Sequence, residues 1–262
     1  MPEKQTDHIS GSIDLLETAA GEIRKHLDSR GVAGLEPLLD VISAEHPSMA
    51  LRLNLCHMLK ETLPEGRAAL LQTLDSFMRS VVDARVHVAA TFAGMVEHYR
   101  WTVAATYSRS AQVRECLAAA VPAGLKRVVL SEARPSGEGI IMARELRGEG
   151  LEVTLTADAA LPGFLVNVNV LVVGADAGLR DYFINKTGTA HLMREARLKG
   201  AGTVVVTVPQ KTLSVGTALT WRNEPLPRPV RLPKTPKGVS WTGELYEKVP
   251  WDLVSFPLGR TL

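Results

Sequence analysis

The feature that most constrains this chain is a change of hydrophobic period at Trp101. Before that residue, apolar side chains recur three or four apart, the spacing of one helical face; after it, short β-branched runs alternate with helix-like segments. The runs are Thr102 to Ala105, Arg127 to Leu130, Glu152 to Leu155, Val170 to Val173 and Thr203 to Val208. Between them, helical patterns cover Ser110 to Val121, Ser136 to Arg147, a short stretch near Asp158 to Leu165, and Lys186 to Lys199. No tight hairpin signal such as Asn-Gly joins the runs, so the strands are expected to pair in parallel through right-handed crossovers. The expected class is α/β, with a Rossmann-like, doubly wound parallel sheet.

The first hundred residues read as helical throughout. Ile13, Leu16, Ala20, Ile23 and Leu27 share one face of a helix, which Arg30 to Gly34 interrupts. A second helix runs from Leu35 to Ile42 and stops before Pro47. Ser48 is placed to cap a third, carrying Met49, Leu53, Cys56 and Leu59. Two more patterns follow, roughly Arg67 to Val82 and Asp83 to Tyr99. The expected organisation is a helical N-terminal domain over residues 1–100 and a Rossmann-like α/β domain over 101–262. Pro225, Pro227, Pro229, Pro233 and Pro236 rule out an interior helix or central strand between Trp221 and Lys237, leaving a long surface loop. A last short element spans Leu245 to Phe256.

Composition narrows the function classes. With 45% hydrophobic residues in 262, the chain can supply a core, and a net charge of +2 gives no reason to expect direct nucleic-acid binding. Cys56 and Cys116 form neither a disulfide framework nor a zinc ribbon, so no metal is expected, and no cofactor motif is present. Met1 to His8 is charged and lacks the apolar centre of a signal peptide, and no stretch reaches ~18 uninterrupted apolar residues. A cytoplasmic protein with reduced thiols and no membrane partner is expected.

In open α/β sheets, ligands collect beyond the carboxyl ends of the strands, where helix N-termini point N–H groups outward. The polar residues there are Thr106, Tyr107, Ser108 and Arg109; Glu132 and Arg134; Asp158; Asp176; and Gln210 and Lys211, with Asn185 and Lys186 opening the helix after the fourth strand. Each has a plain structural reading: Ser108, Asp158 and Asp176 as helix caps, Arg134 as the surface partner of Glu132. Together, cationic and amide groups at one sheet edge suit a phosphorylated small molecule, because phosphate oxygens accept many charge-assisted bonds. There is no G-x-x-x-x-G-K-[ST], and Gly137-Glu138-Gly139 is not a G-x-G-x-x-G. Seven histidines make a Ser-His-Asp coincidence cheap.

An ordered set of motifs carries a family resemblance. Glu132-Ala133-Arg134-Pro135, Gly139, Glu145-Leu146, Gly150, Asp158, Val173-Gly174-Ala175-Asp176 and Asn185-Lys186-Thr187-Gly188-Thr189 resemble the signature series of the initiation factor 2B alpha/beta/delta family. That family holds regulatory subunits of the exchange factor 2B and isomerases of methylthioribose 1-phosphate and ribose 1,5-bisphosphate. The likeness extends to Ala104 through Arg109, to Pro47-Ser48-Met49-Ala50, and to Leu245 through Val254.

The resemblance implies a sugar-phosphate or nucleotide-monophosphate ligand held by Ser108, Arg109, Arg134, Asp176, Asn185 and Lys186. It also implies a homodimer or higher assembly, with protein partners. Asp176 stands at the position of the isomerases' catalytic aspartate and Thr106 at that of their cysteine, but a hydroxyl cannot supply a thiol's acid–base chemistry near pH 7. Ser10 and His46 stand where arginines are expected, and the stretch after Asp176 is one residue short. Tyr107-Ser108-Arg109 resembles the noncatalytic alpha-type subunits. A catalytically degenerate binding or regulatory protein is therefore expected; the alternative is an aldose–ketose isomerase with a Cys-less site, using Tyr107 or Glu132 instead.

Overall fold

A computed structural model describes residues 11–227 and 236–260. Ser10, Pro229 and Pro233 lie outside the described residues.

Helices α1 (Ser12–Arg30), α2 (Leu35–Glu45), α3 (Ala50–Thr62) and α4 (Arg67–Tyr99) come first. The apolar stripe Ile13, Leu16, Ala20, Ile23 and Leu27 is buried against Leu35, Leu39, Ile42, Leu55 and Leu59. The reversal between α1 and α2 turns on Gly31 and Gly34, whose φ angles of 62° and 75° lie in the left-handed region that side chains disfavour.

Two expected helices are instead the single α4 of 33 residues. Nothing between Val82 and Asp83 breaks the chain, and both residues face solvent. What changes there is the surface the helix covers. Leu70, Leu74, Phe77 and Val81 pack on α1–α3, whereas Val88, Phe92 and Val96 pack under the sheet. One helix thus serves both cores.

The strands among the described residues are β1 (Val103–Thr106), β2 (Arg127–Ser131), β3 (Glu152–Thr156), β4 (Val170–Gly174), β5 (Ala177–Gly178), β6 (Tyr182–Lys186), β7 (Gly202–Val206), β8 (Tyr246–Pro250) and β9 (Phe256–Leu258). Six form a sheet in the order β3-β2-β1-β4-β7-β9, every pair parallel. Every residue of β4 is buried, as a central parallel strand requires. Helices α5 (Ala111–Ala119) and α6 (Glu138–Gly148) cover one face together with the end of α4. The short α7 (Leu161–Phe164) and α8 (Thr189–Leu198) cover the other. A last short helix, α9 (Val215–Thr220), follows β7 and packs on α3.

Four further features differ from the sequence expectation. Ser110, not Ser108, caps α5 by accepting from the Val113 N–H at 3.3 Å. Ser48 does not cap α3; its hydroxyl donates to Glu224. Asn185 and Lys186 end β6 rather than open a helix, and α8 begins after Gly188. The segment from Leu245 to Phe256 supplies β8, which joins β5 and β6 in a separate antiparallel sheet, and the start of β9. Pro257 sits within β9, a position that only an edge strand tolerates.

Candidate functional site

A cleft of about 570 Å³, its open mouth included, lies beyond the carboxyl ends of β1 and β4. The N-termini of α1 and α5 reach it from one side, through Gly11, Ser12 and Ser110, and β6 and β8 wall the other through Asn185, Lys186 and Tyr246. Gly174 keeps the base close-packed: a Cβ there would stand 3.0 Å from the Ser110 hydroxyl.

The centre of the wall is a buried ion pair. Lys186 Nζ meets Glu138 Oε1, both side chains about 6% exposed, and also donates to the Ala133 carbonyl at 3.2 Å. Ser108 donates to the same Glu138 oxygen at 2.9 Å, from a backbone with φ of 68°. Glu138 Oε2 is buried without a protein partner. Asn185 donates to Thr189 Oγ1 at 3.1 Å, which fixes its amide at the cleft edge.

Asp176 is half-buried in the cleft wall. Burial raises its carboxyl pKa to about 6, and Glu224 and Glu138 add to the rise while Lys211 and Lys186 oppose it. Lys211 is buried and donates to the Ala175 carbonyl at 2.6 Å, bracing the turn that carries Asp176. Burial pushes its own pKa down, against the pull of Asp176. Burial and the field of Asp176 push the Tyr246 phenol well above its ordinary value, so it meets the cleft neutral. The Tyr107 phenol, raised by burial and by Asp158, donates to the Thr187 carbonyl at 2.8 Å.

The remaining sequence candidates are placed as follows. Arg109 lines the cleft but spends its guanidinium on Glu145, at 2.8 Å, and on Asp14, at 3.0 Å, joining α6 to α1. Arg134 is outside the cleft lining; its side chain is 55% exposed and pairs with Glu132 at 2.9 Å. Asp158 holds the turn after β2 by accepting from the Ala133 and Arg134 N–H groups at 2.9 and 2.7 Å. Thr106 ends β1 fully buried, its hydroxyl without a partner and away from the cleft lining. The N-terminus of α8 is already filled: Glu247 accepts from the Gly188 and Ala190 N–H groups, each at 2.8 Å.

Sequence reasoning brought Ser108, Arg109, Asp176, Asn185 and Lys186 to one cleft and missed Glu138 and Tyr246. Glu138 is the first residue of α6, where an acid is ordinary dipole chemistry, and Tyr246 sat in a segment read only as a last short element. Their only signal was position in the folded sheet. Among the described residues no group of three or more His, Cys, Asp or Glu side chains could hold a metal ion, and no helix is long and apolar enough to cross a membrane.

An α/β chain with helices ahead of a parallel sheet and a polar cleft at its carboxyl edge defines a small class of folds. Within it, the profile of the Initiation factor 2 subunit family matches residues 13–220, and the chain belongs to that family. A ribose 1,5-bisphosphate isomerase from Haloferax volcanii is 30% identical over 219 residues, 78% of this chain and 67% of that protein. A second, from Haloterrigena turkmenica, is 33% identical over 168 residues, 63% of this chain and 50% of its own. An eIF-2B subunit 2-like protein of Pyrococcus furiosus is 32% identical over 55% of this chain and 51% of its own. The matched stretch thus spans about half the length of the last two relatives.

Among solved structures, the translation initiation factor eIF-2B of Pyrococcus horikoshii OT3 superposes with a TM-score of 0.81 at 25% identity, covering 96% of this chain and 90% of that one. The 5-methylthioribose 1-phosphate isomerase of the same organism shares the fold, with a TM-score of 0.73 at 18% identity over 96% and 79% of the two chains.

Proposed function

We propose that the cleft binds a phosphorylated sugar or a nucleoside monophosphate and that the protein acts by binding rather than by turnover. The observation that carries this reading is that the hydroxyl of Thr106, which the family resemblance sets at the isomerases' cysteine position, is buried and does not line the cleft. Lys186 and the N-termini of α1 and α5 favour an anion, and Ser108, Asn185 and Glu138 suit sugar hydroxyls. Two copies associating through the Rossmann-like half, and protein partners beyond them, belong to the same reading; scattering from a 28.4 kDa monomer at micromolar concentration would remove the first of these.

The second reading is an aldose–ketose isomerase of sugar phosphates, as the names of the Haloferax and Haloterrigena relatives suggest. It is favoured by Asp176, whose carboxyl at about 6 is poised to give and take protons near neutrality. Calorimetric titration with AMP, ribose 5-phosphate and ribose 1,5-bisphosphate, paired with NMR detection of ketose formation and of deuterium exchange at the sugar C2, separates the two. Binding without exchange supports the first reading; exchange abolished by Asp176→Asn establishes the second.

A further inference from the structure

We propose that the cleft takes a ligand carrying one phosphate and rejects a bisphosphate, and that Glu138 is the residue that sets this limit. The inference rests on the reading of the cleft as a phosphate site and names the ligand class within it.

The charges of the cleft are already balanced by the protein itself. Among the described residues, the charged side chains of the lining are Arg109 and Lys186 against Glu138 and Asp176. The single positive charge of Arg109 is shared by two carboxylates. Its Nε and Nη2 donate to Glu145 Oε1 at 3.1 and 2.8 Å, and its Nη1 donates to Asp14 Oδ2 at 3.0 Å. Lys186 is matched by Glu138, with both side chains about 6% exposed. Of the three N–H groups of its ammonium, Glu138 and the Ala133 carbonyl take two. Two nearby cations bring no charge to the lining: Lys211 is buried on the Ala175 carbonyl, and Arg134 pairs with Glu132 outside the cleft.

Helix N-termini are the other source of positive potential at this sheet edge, and they follow the same pattern. The first turn of α1 carries Asp14, which accepts from the Gly11 N–H at 3.1 Å, and the first turn of α6 carries Glu138. On α8, Glu247 lies across the Gly188 and Ala190 N–H groups. Of these four helices, α5 alone has no acid in its first turn or bonded across it.

A single phosphate can therefore collect the end of α5 and the remaining Lys186 N–H together. A second finds no uncompensated cation in the lining and meets the Glu138 carboxylate, which Ser108 and Lys186 hold in the wall. Glu138 rather than Asp176 sets the limit because it is the acid that cancels the charge of Lys186.

The test is calorimetric titration of the full chain with ribose 5-phosphate and with ribose 1,5-bisphosphate, in one buffer at pH 8 and fixed ionic strength. The wild type is expected to bind the monophosphate at least about tenfold more tightly, since like charges brought together oppose association. Glu138→Gln keeps the shape of the side chain and an acceptor for Ser108 and Lys186. In that variant the preference is expected to shrink to about threefold or less, or to reverse. Equal or tighter binding of the bisphosphate by the wild type overturns the proposal and leaves the cleft a phosphate site. Binding of neither ligand removes that reading, and this inference with it. A folded Glu138→Gln protein that keeps the wild-type preference overturns the role of Glu138, and the wild-type comparison decides the ligand class even where that variant does not fold.

Discussion

Lys186 at the end of β6 and Glu138 at the start of α6 form an ion pair about 6% exposed on each side, 48 residues apart in sequence. The pair ties the small antiparallel sheet to the main one across the cleft. Its partners are uneven: Glu138 Oε1 also receives Ser108, whereas Oε2 has no protein donor.

Removing one member of such a pair leaves the other charge buried and uncompensated. Lys186→Met is expected to lower the unfolding free energy by about 3–5 kcal/mol, and Lys186→Met with Glu138→Met to restore most of it. Urea denaturation of the two variants checks this; equal losses in both would mean that the pair is not what Lys186 contributes.

Asp176 makes stability depend on pH in a direction unusual for an aspartate. Its folded carboxyl stands at about 6 against an ordinary 3.8, so between those values the native state holds a proton that the unfolded chain has released. Stability then falls as pH rises through this window and stays reduced above it. Asp176→Asn, which cannot ionise, should match the wild type near pH 4 and exceed it at pH 8 by about 2 kcal/mol or less, since the cleft admits water. Thermal melts of both proteins across that range supply the comparison.

The legible parts of this fold were those with one face or one run to bury. The β-branched runs predicted β1, β2, β4 and β7 within a residue or two, because strands buried on both faces must be apolar throughout, and β3, a half-exposed edge strand, through Val153 to Thr156. Strands β6 and β8 carry Asn185, Lys186, Glu247 and Lys248, and they pair with each other rather than with the main sheet. Their register is set by tertiary contacts that no local pattern encodes. The caps misled for a similar reason: Ser108 and Ser110 are chemically equal, and only the left-handed backbone at Ser108 decides between them. In the site, Arg134 read as an anion ligand because it follows a strand, yet the turn after β2 points it at Glu132 and solvent.

Gly139 is a second point where sequence and packing meet. A Cβ built on it would stand 1.9 Å from the Ser131 carbonyl oxygen and 2.8 Å from the Glu132 carbonyl carbon, both backbone atoms with no freedom to retreat. Gly139→Ala must push α6 off the end of β2 and disturb Glu138 beside it. A loss of about 3 kcal/mol or more is expected, the upper range for overpacking, read as a lowered midpoint in urea; a wild-type midpoint would show that α6 can shift freely.

Thr106 provides the sharpest contrast between a residue's position in sequence and its surroundings. Its hydroxyl is buried without a partner, and such a group is costly to keep. Thr106→Val, of nearly the same shape, is therefore expected to be neutral or to stabilise by about 1 kcal/mol, and to leave AMP affinity unchanged because Thr106 does not line the cleft. Thr106→Cys introduces the thiol that the family resemblance sets at this position but places it in the same buried surroundings, where desolvation raises a thiol's pKa, as it does for Cys116. The thiol would be neutral near pH 7 and out of reach of a ligand beside Asp176, so this variant should gain no isomerase activity toward ribose 1,5-bisphosphate. NMR detection of ketose formation by the Thr106→Cys protein, absent from wild type, would mean that the end of β1 opens to the cleft when ligand binds.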